Sequence, residues 1–242
     1  WMVHSFPTRR SSDLLKIYPC MVMKEADLYN IYKQKLYKPY TYKTLSKLLK
    51  DILLILPPYV RVQRLIRDIP AQSVVGGVKV SNLREIIEKE LRQENQTVWE
   101  IRFREIKDEW KQNTKLKMFR TNYDASDGKE IFLSFEDQER TKLYSLLRLR
   151  IPSKTKPVIK TLENSAIIRE VHTYGKQIKV NKQSNSAQHQ GLGKQLIQKA
   201  EEIAKQEFGL TKMAIISGIG VREYYKKLGY KEKETYMVKN IK

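Results

Sequence analysis

A glycine-containing turn just before an amphipathic helix constrains this chain more than any other feature. The turn reads Gln188-His189-Gln190-Gly191-Leu192-Gly193, and the helix is predicted to begin near Lys194. Gly191 and Gly193 let the backbone turn tightly and bring its N–H groups close to a ligand. The helix N-terminus adds the positive end of its dipole, so the segment is typical of a diphosphate-binding loop. An ordinary glycine turn is the alternative, because the Gly-x-Gly pattern alone is weak.

The segments after this turn alternate in a definite order. The helix has one apolar face, formed by residues at helical spacing: Leu196, Ile197, Ala200, Ile203, Ala204 and Phe208. An apolar run at 213–217 predicts a buried strand. A short helix at 222–228 is stopped by Gly229, and a last strand runs through Met237 and Val238.

The residues before the turn predict strands and helices in two groups. The first group alternates strand and helix, with strands at 15–23 and 59–66, a helix at 42–56, and a helix at 81–92 with Ser81 as its N-cap. This alternation is typical of the end of a (β/α) barrel. The second group is a series of strands at 117–123, 129–136, 141–150 and 166–174.

The order of loop, helix, strand, tyrosine-bearing helix and final strand resembles the second half of a GNAT-type acetyltransferase. Longer segments resemble one family more closely, the catalytic subunit of Elongator, which joins a radical-SAM barrel to a GNAT domain. Those segments are Ile168–Gly175, Gln188–Gly193, Ile216–Gly220, Tyr224-Tyr225, Pro57–Val62, Arg67–Pro70, Asn82–Glu85, Phe132–Asp137 and Leu146–Arg150.

The resemblance implies an α/β fold class. We expect a C-terminal remnant of a radical-SAM (β/α) barrel, followed by a GNAT-type acetyltransferase domain with a mixed, mostly antiparallel sheet. The expected division is barrel remnant at 15–92, linker at 93–115 and acetyltransferase at 116–242. Residues 1–14 are expected to be foreign and disordered, because Arg9-Arg10-Ser11-Ser12-Asp13-Leu14 and the residues before it resemble a translated sequencing adapter.

The linker departs from the family pattern. Family members carry a cysteine cluster that binds zinc beside an Arg-Glu pair. Arg104 and Glu105 match that pair, but Val98, Glu100 and Phe103 stand at the cysteine positions. Structural zinc normally takes four Cys or His ligands, so we predict no zinc and no other metal here. Apolar packing by Val98, Trp99 and Phe103 is expected instead.

The resemblance implies an enzyme that modifies the wobble uridine of tRNA with acetyl-CoA as the carbon donor. The reaction is C5 carboxymethylation, and the GNAT domain contributes tRNA-stimulated acetyl-CoA hydrolysis. S-adenosylmethionine and a [4Fe–4S] cluster belong to the full-length parent only. The resemblance leaves two protein partners open, a second copy of the chain in a homodimer and Elongator-like accessory subunits. The acetyl-CoA-binding residues implied are Val171, His172, Thr173, Gln188, His189, Gln190, Gly191, Leu192, Gly193, Lys194, Tyr224 and Tyr225.

Three side chains are candidates for the chemistry. Glu170 is the candidate general base or water-positioning residue, and a salt bridge with Arg169 or a nearby lysine is the equally weighted alternative. Tyr224 and Tyr225 lie where GNAT enzymes place a phenol that protonates the departing thiolate. Because adjacent residues on a helix do not face one site, only one of them takes that role, and we predict Tyr225. His172 is expected to be a hydrogen-bonded structural histidine.

The charge balance indicates a polyanionic partner. Lys+Arg 47 against Asp+Glu 27 gives a formal net charge of +20, which favours nucleic acid, whereas a lysine-rich genome is the alternative. Tyr37 and Tyr40 interleave with lysines, as suits stacking on unpaired bases. We expect residues 61–67 to form a strand on which the basic residues recur with a period near two. The predicted tRNA-binding residues are Lys33, Lys35, Lys38, Arg61, Arg64, Arg67 and Lys79.

Two other functions stay open. The GNAT domain could acetylate a protein lysine or a small amine, although a basic surface repels a basic peptide. The chain could also be a non-catalytic RNA-binding scaffold. The two glycines of the loop argue against this alternative. The single cysteine, Cys20, excludes a disulfide framework, so we expect the cytoplasm as the location and no membrane partner.

Overall fold

The computed structural model describes residues 13–67, 69–107, 114–153, 157–175 and 191–241. The chain divides into two compact units, and the described part of the first unit ends at Arg104. The second unit begins at Glu105. The division therefore falls within the expected linker, between the two residues of the Arg-Glu pair.

The described residues of the first unit form four short strands and four α-helices. They are β1 (Leu14–Lys16), β2 (Val22–Met23), α1 (Leu28–Lys33), α2 (Tyr42–Ile55), β3 (Arg61–Arg64), β4 (Val74–Gly76), α3 (Leu83–Gln93) and α4 (Ile101–Arg104). β1 pairs with β3 in parallel, and β2 pairs with β4 antiparallel. The single strand predicted at 15–23 is wrong: the segment splits into β1 and β2, which belong to different sheets. Pro19 lies in the break and has no N–H to donate to a ladder.

Strand β1 begins before the predicted start of the fold. Leu14 pairs with Arg61, and the carbonyl of Asp13 accepts a 2.8 Å hydrogen bond from the Arg61 N–H. The expectation of disorder is therefore corrected for residues 13 and 14, while residues 1–12 lie outside the described part of the chain.

Two amphipathic helices form the core of the first unit. Leu45, Leu49 and Leu53 of α2 are buried, because they recur every four residues on one face. α2 begins where the Thr41 side chain accepts a 3.2 Å hydrogen bond from the Thr44 N–H, and it ends before Pro57. The facing side chains of α3 are Leu83, Ile87 and Leu91. The predicted N-cap Ser81 is wrong: the N-cap is Asn82, and it makes no side-chain capping bond.

The segment that corresponds to the zinc-binding cysteines of the resembled family packs into the same core. Val98 and Phe103 belong to the buried cluster formed by α2 and α3, which confirms the apolar packing predicted for them. Glu100 is fully buried, and its two carboxylate oxygens accept hydrogen bonds from the Val62 N–H at 2.6 Å and the Phe103 N–H at 2.8 Å. Arg84 lies 3.7 Å from the same carboxylate. A carboxylate thus ties this segment to β3 and α3.

Within the described part of the second unit, a seven-stranded sheet is accompanied by two α-helices. Its elements are β5 (Lys117–Ala125), β6 (Gly128–Glu136), β7 (Leu143–Ile151), β8 (Ser165–Thr173), α5 (Leu192–Gln206), β9 (Lys212–Ile216), α6 (Arg222–Lys227), β10 (Lys231–Lys233) and β11 (Tyr236–Asn240). The strand order is β10-β11-β9-β8-β7-β6-β5, and only β8 and β9 pair in parallel. The predicted mixed, mostly antiparallel sheet is therefore confirmed.

Local sequence explains the strand connections and the packing of α5. Ser126 and Asp127 both have positive φ, which gives the two-residue turn that joins β5 to β6. α5 lies against β6, β7 and β8 through an apolar face of five predicted residues, all of them buried: Leu196, Ile197, Ala200, Ile203 and Ala204. Phe208, the sixth predicted member of that face, lies beyond the end of the helix.

None of the helices in the described ranges combines the length and apolar character needed to cross a bilayer.

Candidate functional site

Two parallel strands at the centre of the second sheet pair only over the first part of β8, and the remainder of β8, which does not pair with β9, is the base of the candidate site. β8 and β9 pair from Ser165 to Ile168, where Ile168 lies opposite Ile215. β8 then continues to Thr173 beyond the last pair. On its other side, Ile168 pairs with Leu149 and Glu170 pairs with Arg148, so Arg169 is an extra residue in the strand. Such a bulge bends a strand, and here it coincides with the separation from β9.

The N-terminus of α5 adds backbone donors to the site. Gly191 is the N-cap in the left-handed conformation with φ 67, and it makes no side-chain capping bond. A non-glycine residue is strained in that conformation, which accounts for the glycine. The first N–H groups of this 15-residue helix have no partner within the helix itself, and its dipole favours an anion at that end.

Three elements bring one side chain or backbone atom each to the same place. A Cβ atom built on Gly193 would lie 3.4 Å from the Thr173 hydroxyl oxygen and 3.8 Å from the Tyr224 hydroxyl oxygen. Thr173 is the last residue of β8, Gly193 is in the first turn of α5, and Tyr224 is in α6. The end of β8, the helix N-terminus and a phenol therefore form one site.

The predicted diphosphate loop is described only in its second half. Gln188, His189 and Gln190 lie outside the described residues, whereas Gly191 to Lys194 lie within them. Leu192 is buried, so its side chain packs into the core while its backbone belongs to the helix N-terminus. Lys194 is exposed at the first turn of α5.

Hydrogen bonds and a ring contact hold the end of β8. The Ser145 hydroxyl donates to the His172 carbonyl at 2.9 Å and lies 3.0 Å from the Thr173 hydroxyl. The imidazole of His172 packs against the Tyr174 ring at 4.4 Å between centroids. These contacts orient the Thr173 side chain, which is the one nearest to Gly193. Val171, which precedes His172 on β8, is half-buried.

The two adjacent tyrosines of α6 have different surroundings. Tyr224 is 42% exposed, whereas Tyr225 is 5% exposed. The Tyr225 ring packs edge-on against Tyr224 at 5.3 Å and against Tyr230 at 6.1 Å. Burial, and secondarily the Tyr224 phenol, raises the pKa of Tyr225 to about 12. Burial also raises the pKa of Tyr224. The Tyr224 hydroxyl is therefore the phenol placed near Gly193, whereas the Tyr225 ring belongs to the core. The role of Tyr225 as the acid stays a prediction.

Glu170 forms an ion pair, but with a residue that was not predicted. Its Oε2 accepts a 2.8 Å hydrogen bond from Nε of Arg148 on the neighbouring strand β7. The side chain of Arg148 is 3% exposed and that of Glu170 is 35% exposed. Arg169, the partner considered from the sequence, instead reaches Glu130 at 3.2 Å. In the sequence, the signal for this ion pair was the alternation of arginines at 148 and 150 on a mostly apolar strand.

The predicted tRNA-binding residues lie in the first unit and share no single strand. Arg61 and Arg64 are on β3, whereas Arg67 lies beyond its end, so the period-two pattern expected over 61–67 is not realised. The remaining predicted residues, all of them exposed, are Lys33, Lys35, Lys38 and Lys79. The Lys33 ammonium lies 4.8 Å from the centroid of the Tyr29 ring. Tyr37 is half-buried and Tyr40 is exposed.

Over the described ranges, no three His, Cys, Asp or Glu side chains are grouped so that they could hold a metal ion. Cys20, the one cysteine of the sequence, is exposed. At the linker positions, the buried Glu100 is already bound to two N–H groups, and Val98 and Phe103 offer no ligand atom. These residues do not fit the zinc site of the resembled family.

Comparison with known proteins agrees with both units. The family model for the Radical_SAM C-terminal domain matches residues 12–93, and the Acetyltransferase (GNAT) family model matches residues 184–230. A protein named tRNA uridine(34) acetyltransferase from Dehalococcoides mccartyi is 43% identical over 235 residues, which cover 95% of this chain and 51% of that protein. Elongator complex protein 3 of Saccharomyces cerevisiae is 39% identical over 237 residues, covering 95% of this chain and 42% of that protein.

A solved structure has the same fold. The structure of the archaeal Methanocaldococcus infernus Elp3 with an N-terminal deletion matches with a TM-score of 0.83 and 40% identity, covering 94% of this chain and 55% of that one. The chain thus spans about half the length of the curated relatives that it matches. Over that span the chain is similar to those proteins in the order of its domains and in its fold, and these matches agree with its resemblance to the Elongator catalytic-subunit family.

Proposed function

We propose that this chain binds acetyl-CoA and acts as the acyltransferase part of an enzyme that carboxymethylates C5 of the tRNA wobble uridine. The observation that carries the proposal is the meeting of Thr173, Gly193 and Tyr224 where β8 separates from β9. The printed names of the relatives support the tRNA substrate.

The site has a part for each portion of acetyl-CoA. The N–H groups at the start of α5, from Gly191 to Lys194, bind the diphosphate, because a helix N-terminus stabilises an anion. The absence of a side chain at Gly193 leaves room for part of the acetyl-CoA molecule between the helix and Thr173. The edge of β8 beyond Ile168 binds the amides of the pantetheine arm, and a backbone N–H there polarises the thioester carbonyl. Gln188, His189 and Gln190 complete the loop in this proposal.

Two side chains move protons when water attacks the thioester. Glu170 takes a proton from the attacking water, which then adds to the carbonyl carbon. The C–S bond breaks as the tetrahedral intermediate collapses, and the Tyr224 hydroxyl gives its proton to the leaving thiolate. The products are acetate and CoA. The 42% exposure of Tyr224 allows its proton to be replaced from solvent.

The basic residues of the first unit bind the tRNA. Net charge +20 provides long-range attraction to phosphates, and tyrosines among the lysines suit stacking on unpaired anticodon bases. For any single lysine, a solvated position without a phosphate contact is the alternative. In this proposal tRNA binding stimulates acetyl-CoA hydrolysis.

The radical step of carboxymethylation needs S-adenosylmethionine and a [4Fe–4S] cluster. A single cysteine does not fit such a cluster, which is held by several Cys thiolates. No step of that chemistry is therefore assigned to residues of this chain, and a full-length parent supplies it. The reducing cytoplasm, where a lone thiol persists, is the location that suits this proposal.

The test is a comparison of three acceptors with the 242-residue chain. We expect acetyl-CoA to be hydrolysed faster when tRNA is added, while histone-like peptides and spermidine receive no acetyl group. Acetylation of the peptide or the amine would replace this function with the N-acetyltransferase alternative. Absence of a CoA-induced thermal shift would favour a non-catalytic RNA-binding scaffold.

A further inference from the structure

The guanidinium of Arg148 is buried against an aromatic ring and points at one carboxylate. Its central carbon lies 5.4 Å from the centroid of the Phe132 ring, and its Nε lies 2.8 Å from Oε2 of Glu170. All three residues lie on neighbouring strands, because Phe132 pairs with Arg148 and Arg148 pairs with Glu170. The arginine is thus held from one side by β6 and presented to β8.

We propose that Arg148 is a positioning residue, which holds the Glu170 carboxylate in the orientation needed to activate water at the acetyl thioester. This inference rests on the proposed function, because Glu170 has a role in chemistry only if acetyl-CoA is bound and hydrolysed. Arg148 itself contacts neither substrate nor water in the reaction.

The bulge at Arg169 sets which arginine meets which carboxylate. A shift of one residue along a strand turns every side chain to the opposite face. Because Arg169 is the extra residue, Glu170 and not Arg169 stands opposite Arg148. Arg169 is directed to Glu130, which also lies 3.4 Å from Arg150. Glu130 is therefore within hydrogen-bonding distance of two arginines, and the Glu170 carboxylate accepts its hydrogen bond from Arg148.

The burial of the two partners is unequal, which argues for a role beyond stability. The Arg148 side chain is 3% exposed, whereas 35% of the Glu170 side chain is accessible. Ion pairs that include a desolvated charge add little net stability, because desolvation offsets the Coulomb attraction. One carboxylate oxygen of Glu170 is held by a charge-assisted hydrogen bond, and the side chain still reaches solvent.

The location of the pair supports the same conclusion. Ile168 is the last residue of β8 that pairs with β9, and Glu170 follows two residues later. The carboxylate therefore stands at the start of the open edge to which the proposal assigns the pantetheine arm. A reacting group displaced by about 1 Å loses on the order of 100-fold in rate, so a fixed carboxylate matters at this place.

The test uses Arg148→Met in the 242-residue chain, with tRNA-stimulated hydrolysis and CoA binding as separate readouts. Met retains much of the packing volume and loses the donor. We expect kcat for acetyl-CoA hydrolysis to fall about 100-fold. The Kd for CoA is expected to change less than about twofold, because the diphosphate contacts on α5 are intact.

The matched control is Arg150→Met, which removes the half-buried arginine two residues further along the same strand. Arg150 donates to the Ser126 carbonyl at 2.8 Å and pairs with Glu130, so this variant should lose stability without the selective loss of kcat. Arg148→Lys keeps the charge but not the planar donor geometry, and we expect it to lose rate at least about fivefold. If Arg148→Met does not fold, Arg148→Lys is the variant used for the test.

The outcomes separate this inference from the proposed function. Low kcat with unchanged CoA affinity in the Arg148 variants, and not in Arg150→Met, supports the positioning role. Wild-type kcat in a folded Arg148 variant overturns it and leaves the proposed function standing. Parallel loss of kcat, CoA affinity and melting temperature in both Arg148 variants shows a purely structural arginine and also overturns it. An inactive wild-type chain overturns both proposals.

Discussion

The Tyr224 hydroxyl oxygen lies 3.8 Å from the place where a Cβ atom on Gly193 would stand. The two residues belong to different helices, and the Thr173 hydroxyl approaches the same point to 3.4 Å. The space above Gly193 is therefore small and lined by hydroxyl groups. A side chain at position 193 would compete directly with any ligand that lies between α5 and these hydroxyls.

Replacing this glycine by a longer, charged residue tests the diphosphate assignment. We expect Gly193→Glu to abolish CoA binding, because the carboxylate fills the diphosphate space with a like charge. Isothermal titration with CoA measures the effect. Gln198→Glu is the matched control, since it makes the same charge change at an exposed position of the same helix. Undiminished CoA affinity in Gly193→Glu would contradict the assignment of this loop as the diphosphate-binding site.

The two tyrosines of α6 are distinguished by removing one hydroxyl at a time. Tyr224→Phe should slow acetyl-CoA hydrolysis by about 100-fold or more, because the general acid is lost, and should leave CoA affinity nearly unchanged. Tyr225→Phe should hydrolyse acetyl-CoA at the wild-type rate, because that ring lies in the core. Steady-state kinetics of both variants decides the assignment, and the reverse pattern would return the acid role to Tyr225.

The buried Glu100 carboxylate, which stands where the resembled family carries a cysteine, gives a prediction about stability. Glu100→Gln should lower the free energy of unfolding by about 3 kcal/mol, because Arg84 and two backbone N–H groups lose a charged acceptor. A metal chelator should leave the melting temperature of the wild-type chain unchanged. Urea denaturation with Glu85→Gln as an exposed control on α3 provides the measurement. A chelator-dependent fall in melting temperature would contradict a metal-free anchor.

A second buried carboxyl predicts a dependence of stability on pH. Burial raises the pKa of Glu130 to about 7 despite the opposing charge of Arg150, whereas an unfolded Glu titrates near about 4.3. Between these values the folded state binds more protons than the unfolded state, so the unfolding free energy falls as pH rises from about 4.3 to about 7. The slope from this group reaches at most about 1.4 kcal/mol per pH unit.

Glu130→Gln removes this titration. We expect its unfolding free energy to fall less steeply than that of the wild type over the same pH range, as measured by urea denaturation at several pH values. Identical slopes in the two proteins would show that Glu130 does not titrate in this window.

The sequence predicted the regular elements where one periodicity extended over many residues. α2 and α5 each repeat apolar residues every three or four positions for about four turns, so both helices were predicted, and the buried face of α5 was found correctly except for Phe208. The strand predicted at 15–23 failed because an apolar run does not specify which partner each part pairs with. Its two halves pair with β3 and β4, a choice made by contacts some 50 residues away in sequence.

The pairs of residues that meet at the site could not be predicted from periodicity. The sequence made candidates of Glu170, Gly193 and the tyrosine pair by local pattern and by family resemblance. It did not identify Arg148 as the partner of Glu170, because that pairing depends on one extra residue in β8. It also did not separate Tyr224 from Tyr225, since burial depends on which face of α6 packs against Tyr230. Local pattern determines which residues are present and which element they form, whereas register and helix rotation, set by packing of distant segments, decide which atoms meet.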